Sequence, residues 1–251
     1  MTFQTDTDTV VQTGSVPLRI LALGDCNTIT ADPNQGTVPD GLSAAMEKIG
    51  FRVTVCNLGG GMETCREGLA RLQDSEFVPD LAVINFGLVD SWVTSIPGIY
   101  LPYYPDSPAK RLIRKPLKSL KRHLRSALLR GIVPRGHVVA CSEYSERITA
   151  MVQEIRDRNS RAAIYLWATL PVAGQPDRAE HLRTYNGILN RIATEQQTGF
   201  ISTPELLSSL SADEKLIDGV HLSKAAANLI GRKIAQEFVS EATNQQHCPA
   251  A

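Results

Sequence analysis

Arg19-Ile20-Leu21-Ala22-Leu23-Gly24-Asp25-Cys26-Asn27-Thr28 is the stretch that decides the fold. The apolar run 20–23 has the length of one strand in a sheet covered on both faces. Gly24 permits a sharp turn at the strand's carboxyl end. Open α/β sheets bind ligands along that edge. A thiol delivered there, Cys26, is a candidate nucleophile. The alternative is a small buried hydrophobe, the state of most free cysteines.

Further along the chain the pattern alternates. Residues 38–49 read as a helix with Leu42, Ala45, Met46 and Ile49 on one face, stopped by Gly50. Residues 51–58 form a second strand that ends in Gly59-Gly60-Gly61-Met62-Glu63-Thr64, and a helix follows over 64–72. The three glycines are not a phosphate loop, because no G-K-[ST] follows them. Residues 81–86 are a third strand running into Gly87-Leu88-Val89-Asp90. A helix over 138–158, a strand over 162–170, a helix over 179–195, a strand over 199–202, a helical turn over 206–210 and a helix over 224–242 complete the order. Ser223 is placed to cap the last helix. Strands alternating with helices predict a parallel sheet with helices on both faces.

The 251 residues suit one α/β domain over 17–242, with 1–16 and 243–251 as disordered tails. The opening segment is polar and Thr-rich, unlike a signal peptide. No apolar run reaches membrane-span length. Five cysteines (26, 56, 65, 141, 248) form no C-x-x-C pair. This argues against a disulfide framework or a metal site and fits a cytoplasmic location. Lys plus Arg and Asp plus Glu are 26 each, so net charge points to no partner. No cofactor motif is present.

A second motif, Asp218-Gly219-Val220-His221-Leu222-Ser223, stands just ahead of the last helix. An Asp three residues before a His can hold the imidazole's tautomer while the ring faces a nucleophile. Together, G-D-C-N-T after the first strand and D-G-V-H before the last helix resemble the SGNH or GDSL hydrolase family. There G-D-S opens the chain and D-x-x-H closes it; Cys26 stands where the family usually has serine. The resemblance implies a flavodoxin-like three-layer α/β/α fold with a five-stranded parallel sheet. It also implies acyl transfer through a covalent acyl-cysteine, with Cys26 as nucleophile, His221 as base and Asp218 orienting it.

The family's second block runs N-x-G-x-x-G-[DN]-T. Aligned on Asn57, Gly59 and Thr64, its last glycine falls on Met62, with Gly61 one residue before. The implied oxyanion donors are the backbone N–H groups of Cys26 and of Gly61 or Met62. The third block is G-x-N-D, and its asparagine is Val89 here. Losing one such donor typically costs on the order of 10²–10³ in rate. Either another group has taken over, or the reaction needs less stabilisation, or the site no longer turns over.

Asp25 and Asp90 are suited to hold backbone groups in their turns. With Val89, Trp92 and Tyr103 they are the residues expected beside the substrate. The stretch 91–105 is too rich in proline and aromatics for a helix and reads as a loop over the strand ends. Its aromatics either meet substrate or pack the loop down. A thiol beside a histidine can rest as thiolate and imidazolium. The acyl substrate expected is an O-acyl saccharide or an acyl thioester carrier. The alternative is a non-catalytic binding module of the same fold for a saccharide or anionic carrier. His123, His137, His181 and His247 read as surface residues, Cys56 as core, and Cys65 as near enough for a redox link to Cys26.

Ten Lys or Arg residues lie between Lys110 and Arg135, with no acid between Asp106 and Glu143. They fall in an insertion over about 97–136. Pro116 fits the first turn of a helix running to 129. Leu117, Leu120, Leu124 and Leu128 take one face and Lys118, Lys121, Arg122 and Arg125 another. The partner is either an anion (acyl-coenzyme A, an acyl carrier protein, a nucleotide-sugar or an acidic membrane surface) or water, with the leucines on the core. No nucleic-acid recognition motif is present.

Overall fold

In chain order the elements are β1 (Leu18–Gly24), α1 (Val38–Lys48), β2 (Val53–Asn57), α2 (Cys65–Asp74), β3 (Leu81–Asn85), β4 (Val93–Ser95) and α3 (Pro108–His123). They continue with β5 (Arg135–His137), α4 (Cys141–Arg158), β6 (Ala163–Trp167), α5 (Pro176–Glu195), β7 (Gly199–Ile201), α6 (Thr203–Leu206), α7 (Ala212–Lys215) and α8 (Lys224–Gln246). The computed structural model describes residues 16–246 apart from 31, 96, 98–107 and 124–133.

The main sheet has the order β2-β1-β3-β6-β7, and every neighbouring pair is parallel. Counting only its own strands, this is the flavodoxin-like arrangement, whose order reverses between β1 and β3. The strand side chains alternate between two cores. Leu21, Leu23, Ala82, Ile84, Ile164 and Leu166 point to the side covered by α2, α4 and α5. Ile20, Ala22, Leu81, Val83, Tyr165 and Trp167 point to the side covered by α1 and α8. Both faces are dry, which is why these strands read as unbroken apolar runs.

Local signals set the helix ends. Thr37 accepts the Asp40 N–H at the start of α1 (3.3 Å). Thr64 and Glu67 form a capping box on α2. Ser223 Oγ accepts the Ala226 N–H at the start of α8 (3.1 Å). The α1–α8 contact depends on two glycines. A Cβ on Gly231 would lie 2.3 Å from the Leu42 nitrogen, and one on Gly41 2.8 Å from the Ala227 oxygen.

Several boundaries differ from expectation. Part of the stretch read as loop, Val93–Ser95, is a strand that pairs antiparallel with β5. α3 starts at Pro108, so Pro116 lies inside the helix rather than in its first turn. α4 starts at Cys141; the chain bends at Val138 and Val139, whose side chains are buried. The Ala140 N-cap supplies no side-chain bond, so residues 138–140 carried no start signal. The helical turn expected over 206–210 is α6, ending at Leu206. α8 runs on to Gln246, past the expected end at Ala242. The expected tails over 1–15 and 247–251 lie outside the described residues, as do Tyr103, Arg125, Leu124, Leu128 and His247. No helix among the described residues is long and apolar enough to cross a membrane.

Because the α1–α8 interface leaves no room at Gly231, Gly231→Ala is expected to lower the unfolding free energy by about 1–3 kcal/mol or more. Denaturant unfolding monitored by circular dichroism measures this.

Candidate active site

The first turn is built on the carboxyl end of β1. The Asp25 N–H donates to the Asn85 carbonyl (3.2 Å), the Thr28 N–H to the Asp25 carbonyl (3.0 Å), and the Asn27 N–H to Asp25 Oδ1 (3.1 Å). These bonds hold Cys26 at the turn, 4% exposed. Two contacts fix the turn from outside. The Gln35 amide donates to the Cys26 carbonyl (2.6 Å) and to that of Ile29 (2.9 Å). Asn27 Oδ1 accepts the Leu222 N–H (3.0 Å), which binds the turn to the loop carrying Asp218 and His221.

In that loop His221 Nδ1 lies 2.6 Å from Asp218 Oδ2. Asp218 Oδ1 accepts the backbone N–H of His221 (2.8 Å) and of Val220 (3.0 Å). Burial pushes the Asp218 carboxyl up, but the bonds from the His221 backbone, the His221 ring and Val220 outweigh it and hold it below the ordinary value. With Nδ1 committed to the carboxylate, Nε2 is the ring's remaining nitrogen. Val220 packs on the cluster of Cys26, Leu88 and Val172, so the loop closes over the thiol. The Gly219 carbonyl accepts the Ala173 N–H (2.9 Å), fixing the loop from the β6 side.

The second block wraps the same turn. Asn57 Nδ2 donates to the Thr28 carbonyl (2.7 Å), Asn57 Oδ1 accepts the Gly59 N–H (2.9 Å), and the Gly60 N–H donates to the Gly24 carbonyl (3.0 Å). Met62, where the family alignment puts glycine, has φ 59°. The left-handed region costs a non-glycine residue roughly 1–2 kcal/mol. The conformation turns the Met62 N–H to the Cys26 sulfur, which also has its own N–H within reach. Gly61 stands one residue earlier in the same turn. Arg71 pairs with Glu63 and donates to the carbonyls of Leu58 (3.2 Å) and Gly59 (2.8 Å), so it pins the block from below.

In the third block Asp90 accepts the N–H groups of Gly87 (3.0 Å) and Cys65 (2.9 Å). Val89 is buried and carries no donor. Asp25 and Asp90 are both fully buried and bonded to backbone, so they shape the turns rather than line an open cleft. Burial lifts Asp25 to about 7 against the bond from Asn27, with Asp90 adding to the rise. Burial lifts Asp90 to about 6 against the bonds from Cys65. Burial, then the charge of Asp25, pushes the Cys26 thiol well above its ordinary value. That shift works against a resting thiolate–imidazolium pair.

Other expected residues are placed differently. Trp92 packs against the core with the Arg178 guanidinium 4.8 Å over its ring, so it holds the chain down. His137 Nε2 and His181 Nδ1 are 3.0 Å apart and partly buried, not separate surface residues. Cys56, on edge strand β2, is only half-buried. Cys65 is buried at the start of α2 and in hydrogen-bond contact with Asp90; burial and that carboxylate push its thiol up. Cys26, Cys56, Cys65 and Cys141 are all free thiols. Asn27 and Gln35 were not singled out from the sequence. Asn27 lies within G-D-C-N-T and was open to detection, whereas nothing local marks Gln35. Among the described residues no group of three or more His, Cys, Asp or Glu is placed to hold a metal ion.

The model of the GDSL-like Lipase/Acylhydrolase family matches residues 22–229. Solved structures share the fold. A lipase/acylhydrolase from Enterococcus faecalis gives a TM-score of 0.61 at 19% identity, over 89% of this chain and 96% of its own. TesA gives 0.56 at 20%, over 89% and 98%. A variant of Axe2, an acetyl xylan esterase from Geobacillus stearothermophilus, gives 0.57 at 20%, over 89% and 94%. No curated protein matches the chain.

The raised Asp25 carboxyl has a signed consequence. Between its unfolded value near 3.8 and its folded value of about 7, the folded chain holds a proton that the unfolded chain releases. The stabilisation from this group is therefore present at low pH and lost as pH rises through that window. Asp25→Asn is expected to flatten the fall in stability between about pH 4 and 7. Unfolding free energies of both proteins across pH 4–8 measure the difference in slope.

Proposed function

Since the chain belongs to the GDSL-like lipase/acylhydrolase family, an ester-hydrolysing family, we propose that it transfers acyl groups through a thioester on Cys26, with His221 and Asp218 completing the triad. The observation that carries this reading is the 2.6 Å contact between His221 Nδ1 and Asp218 Oδ2 on a loop packed against the Cys26 turn.

The thiol is neutral at rest, so His221 Nε2 has to accept its proton as sulfur attacks the carbonyl carbon. The C–S bond forms while the carbonyl π pair moves onto oxygen. The N–H groups of Cys26 and Met62 are the donors for that oxyanion. As the carbonyl re-forms, the bond to the leaving group breaks, and His221 passes the proton to the departing oxygen or sulfur. The second half repeats the steps with water or an alcohol as the nucleophile. His221 takes its proton and returns one to the Cys26 thiolate as it leaves. Asp218 keeps the ring oriented and stabilises the imidazolium that forms twice per cycle.

Val89 removes the third donor that the family pattern supplies. A thioester intermediate fits that loss in one respect: thiolate is a better leaving group than alkoxide, so the second step starts from a more reactive acyl group. The substrate class favoured is a thioester or an O-acyl saccharide rather than an amide.

Incubation with a panel of acyl-coenzyme A, acyl-carrier thioesters and activated esters, read by intact mass, tests this. Wild type is expected to gain one acyl group that Cys26→Ala lacks. Cys26→Ala and His221→Ala are expected to abolish turnover, Asp218→Asn to cut it by on the order of 10⁴, and Cys65→Ala to leave most of it. Alkylation of Cys26 at neutral pH is expected to be slow, because the thiol is protonated and buried. Turnover that survives in Cys26→Ala sinks the nucleophile assignment. A folded protein that forms no adduct with any donor is a binding module of this fold.

A further inference from the structure

α3 has the sequence PAKRLIRKPLKSLKRH. On its helical wheel Leu112, Ile113, Leu117 and Leu120 share one arc, and Arg114, Lys115, Lys118 and Lys121 occupy the opposite one. One sequence reading puts Leu117 and Leu120 on the core. Leu120 is instead 51% exposed, beside Leu112 at 78% and Ile113 at 54%, while Leu117 is half-buried. No other described element exposes more than one large hydrophobic residue. The surrounding sequence carries no acid from 107 to 142.

We infer that α3 is an interfacial helix that docks the protein onto an anionic lipid surface. Three observations favour a bilayer over a soluble anion or a protein partner. First, one helix exposes Leu112, Ile113 and Leu120 together with Lys115 and Lys118. A free phosphate or an acidic carrier would answer the cations and leave Leu112, Ile113 and Leu120 wet. An acidic bilayer answers both, with headgroups at the cations and the acyl boundary under the leucines. Second, Pro116 has no N–H to donate to the Leu112 carbonyl. That carbonyl then needs water, which a helix lying among headgroups retains and one sunk in hydrocarbon does not. Third, the helix is tied to the catalytic half of the molecule. Ser95 Oγ donates to the Lys121 carbonyl (3.2 Å), and Ser95 ends β4, the strand that leaves the third block. Docking through α3 would bring the loops bordering Cys26 to the lipid surface.

The inference concerns binding alone and stands apart from the acyl-transfer reading, so Cys26→Ala is expected to bind like wild type. The test is co-sedimentation of the full chain with large vesicles of phosphatidylcholine, or of phosphatidylcholine and phosphatidylglycerol in equal amounts. Binding to the anionic vesicles is expected to be at least tenfold tighter and to weaken with added salt. Replacing Leu112, Ile113 and Leu120 together by serine is expected to weaken it at least tenfold. Replacing Arg114, Lys115, Lys118 and Lys121 together by glutamine is expected to do the same. Unchanged circular dichroism and unfolding midpoints establish that both variants fold. Absence of binding by folded wild type overturns the proposal. So does equal binding to neutral vesicles. A loss confined to the charge variant also overturns it and points to a soluble anion, which coenzyme A and an acyl carrier protein would then compete for.

Discussion

The site exists because Asn27 Oδ1 accepts the N–H of Leu222. The bond is buried, and it joins the first turn of the sheet to the loop before the last helix. Without it, the Cys26 turn and the loop of Asp218 and His221 would lose a buried link. Effective catalysis needs reacting groups held to fractions of an ångström. The other contacts reinforce the same junction: Gln35 on the Cys26 carbonyl, the Gly36 N–H on the Leu222 carbonyl, and the Gly219 carbonyl under Ala173. The sheet supplies a rigid edge, and these bonds place the two motifs on it side by side.

Much of this was legible in the sequence, for a physical reason. Strands buried on both faces must be apolar throughout, so β1, β3 and β6 announce themselves as runs. Helix α1 shows its period because one face of it meets the sheet, and α8 is marked by its Ser223 cap. The motifs around Cys26 and His221 could be paired through the family resemblance. What stayed hidden is non-local. β4 and β5 are three-residue strands that pair with each other across the insertion. The His137–His181 contact joins residues on β5 and α5 that nothing in either segment foretells. The start of α4 was misplaced because a bend, not a capping side chain, begins it. The burial that raises the Cys26 thiol is non-local too, since Leu88, Val172 and Val220 converge on it only in the folded chain.

Two carboxyl groups are enclosed beneath the reactive turn, and each is bonded to backbone N–H groups of a different block. Asp25 holds the first turn; Asp90 holds the third block to the first turn of α2 through Cys65. Apolar side chains would fill this space at lower electrostatic cost. The carboxylates instead satisfy turn amides that would be left without acceptors. Specified turns are obtained at the expense of raised acid groups next to a thiol. The charge of Asp25 adds to the burial that already pushes the Cys26 thiol up.

The close packing of α1 on α8 has a consequence for the order in which the chain can become structured. Gly41 and Gly231 allow the two helices to touch backbone to backbone, and α1 buries Val38, Leu42 and Met46 largely against that late partner. As the chain emerges from the ribosome, β1, α1, β2 and β3 can meet early, but one face of their sheet stays uncovered until α8 has been made. Such long-range closure slows folding and leaves apolar surface open to misassociation. The reactive turn shares this fate, since Leu222 arrives just ahead of the same helix. A partly synthesised chain therefore holds Cys26 without the loop of Asp218 and His221 beside it.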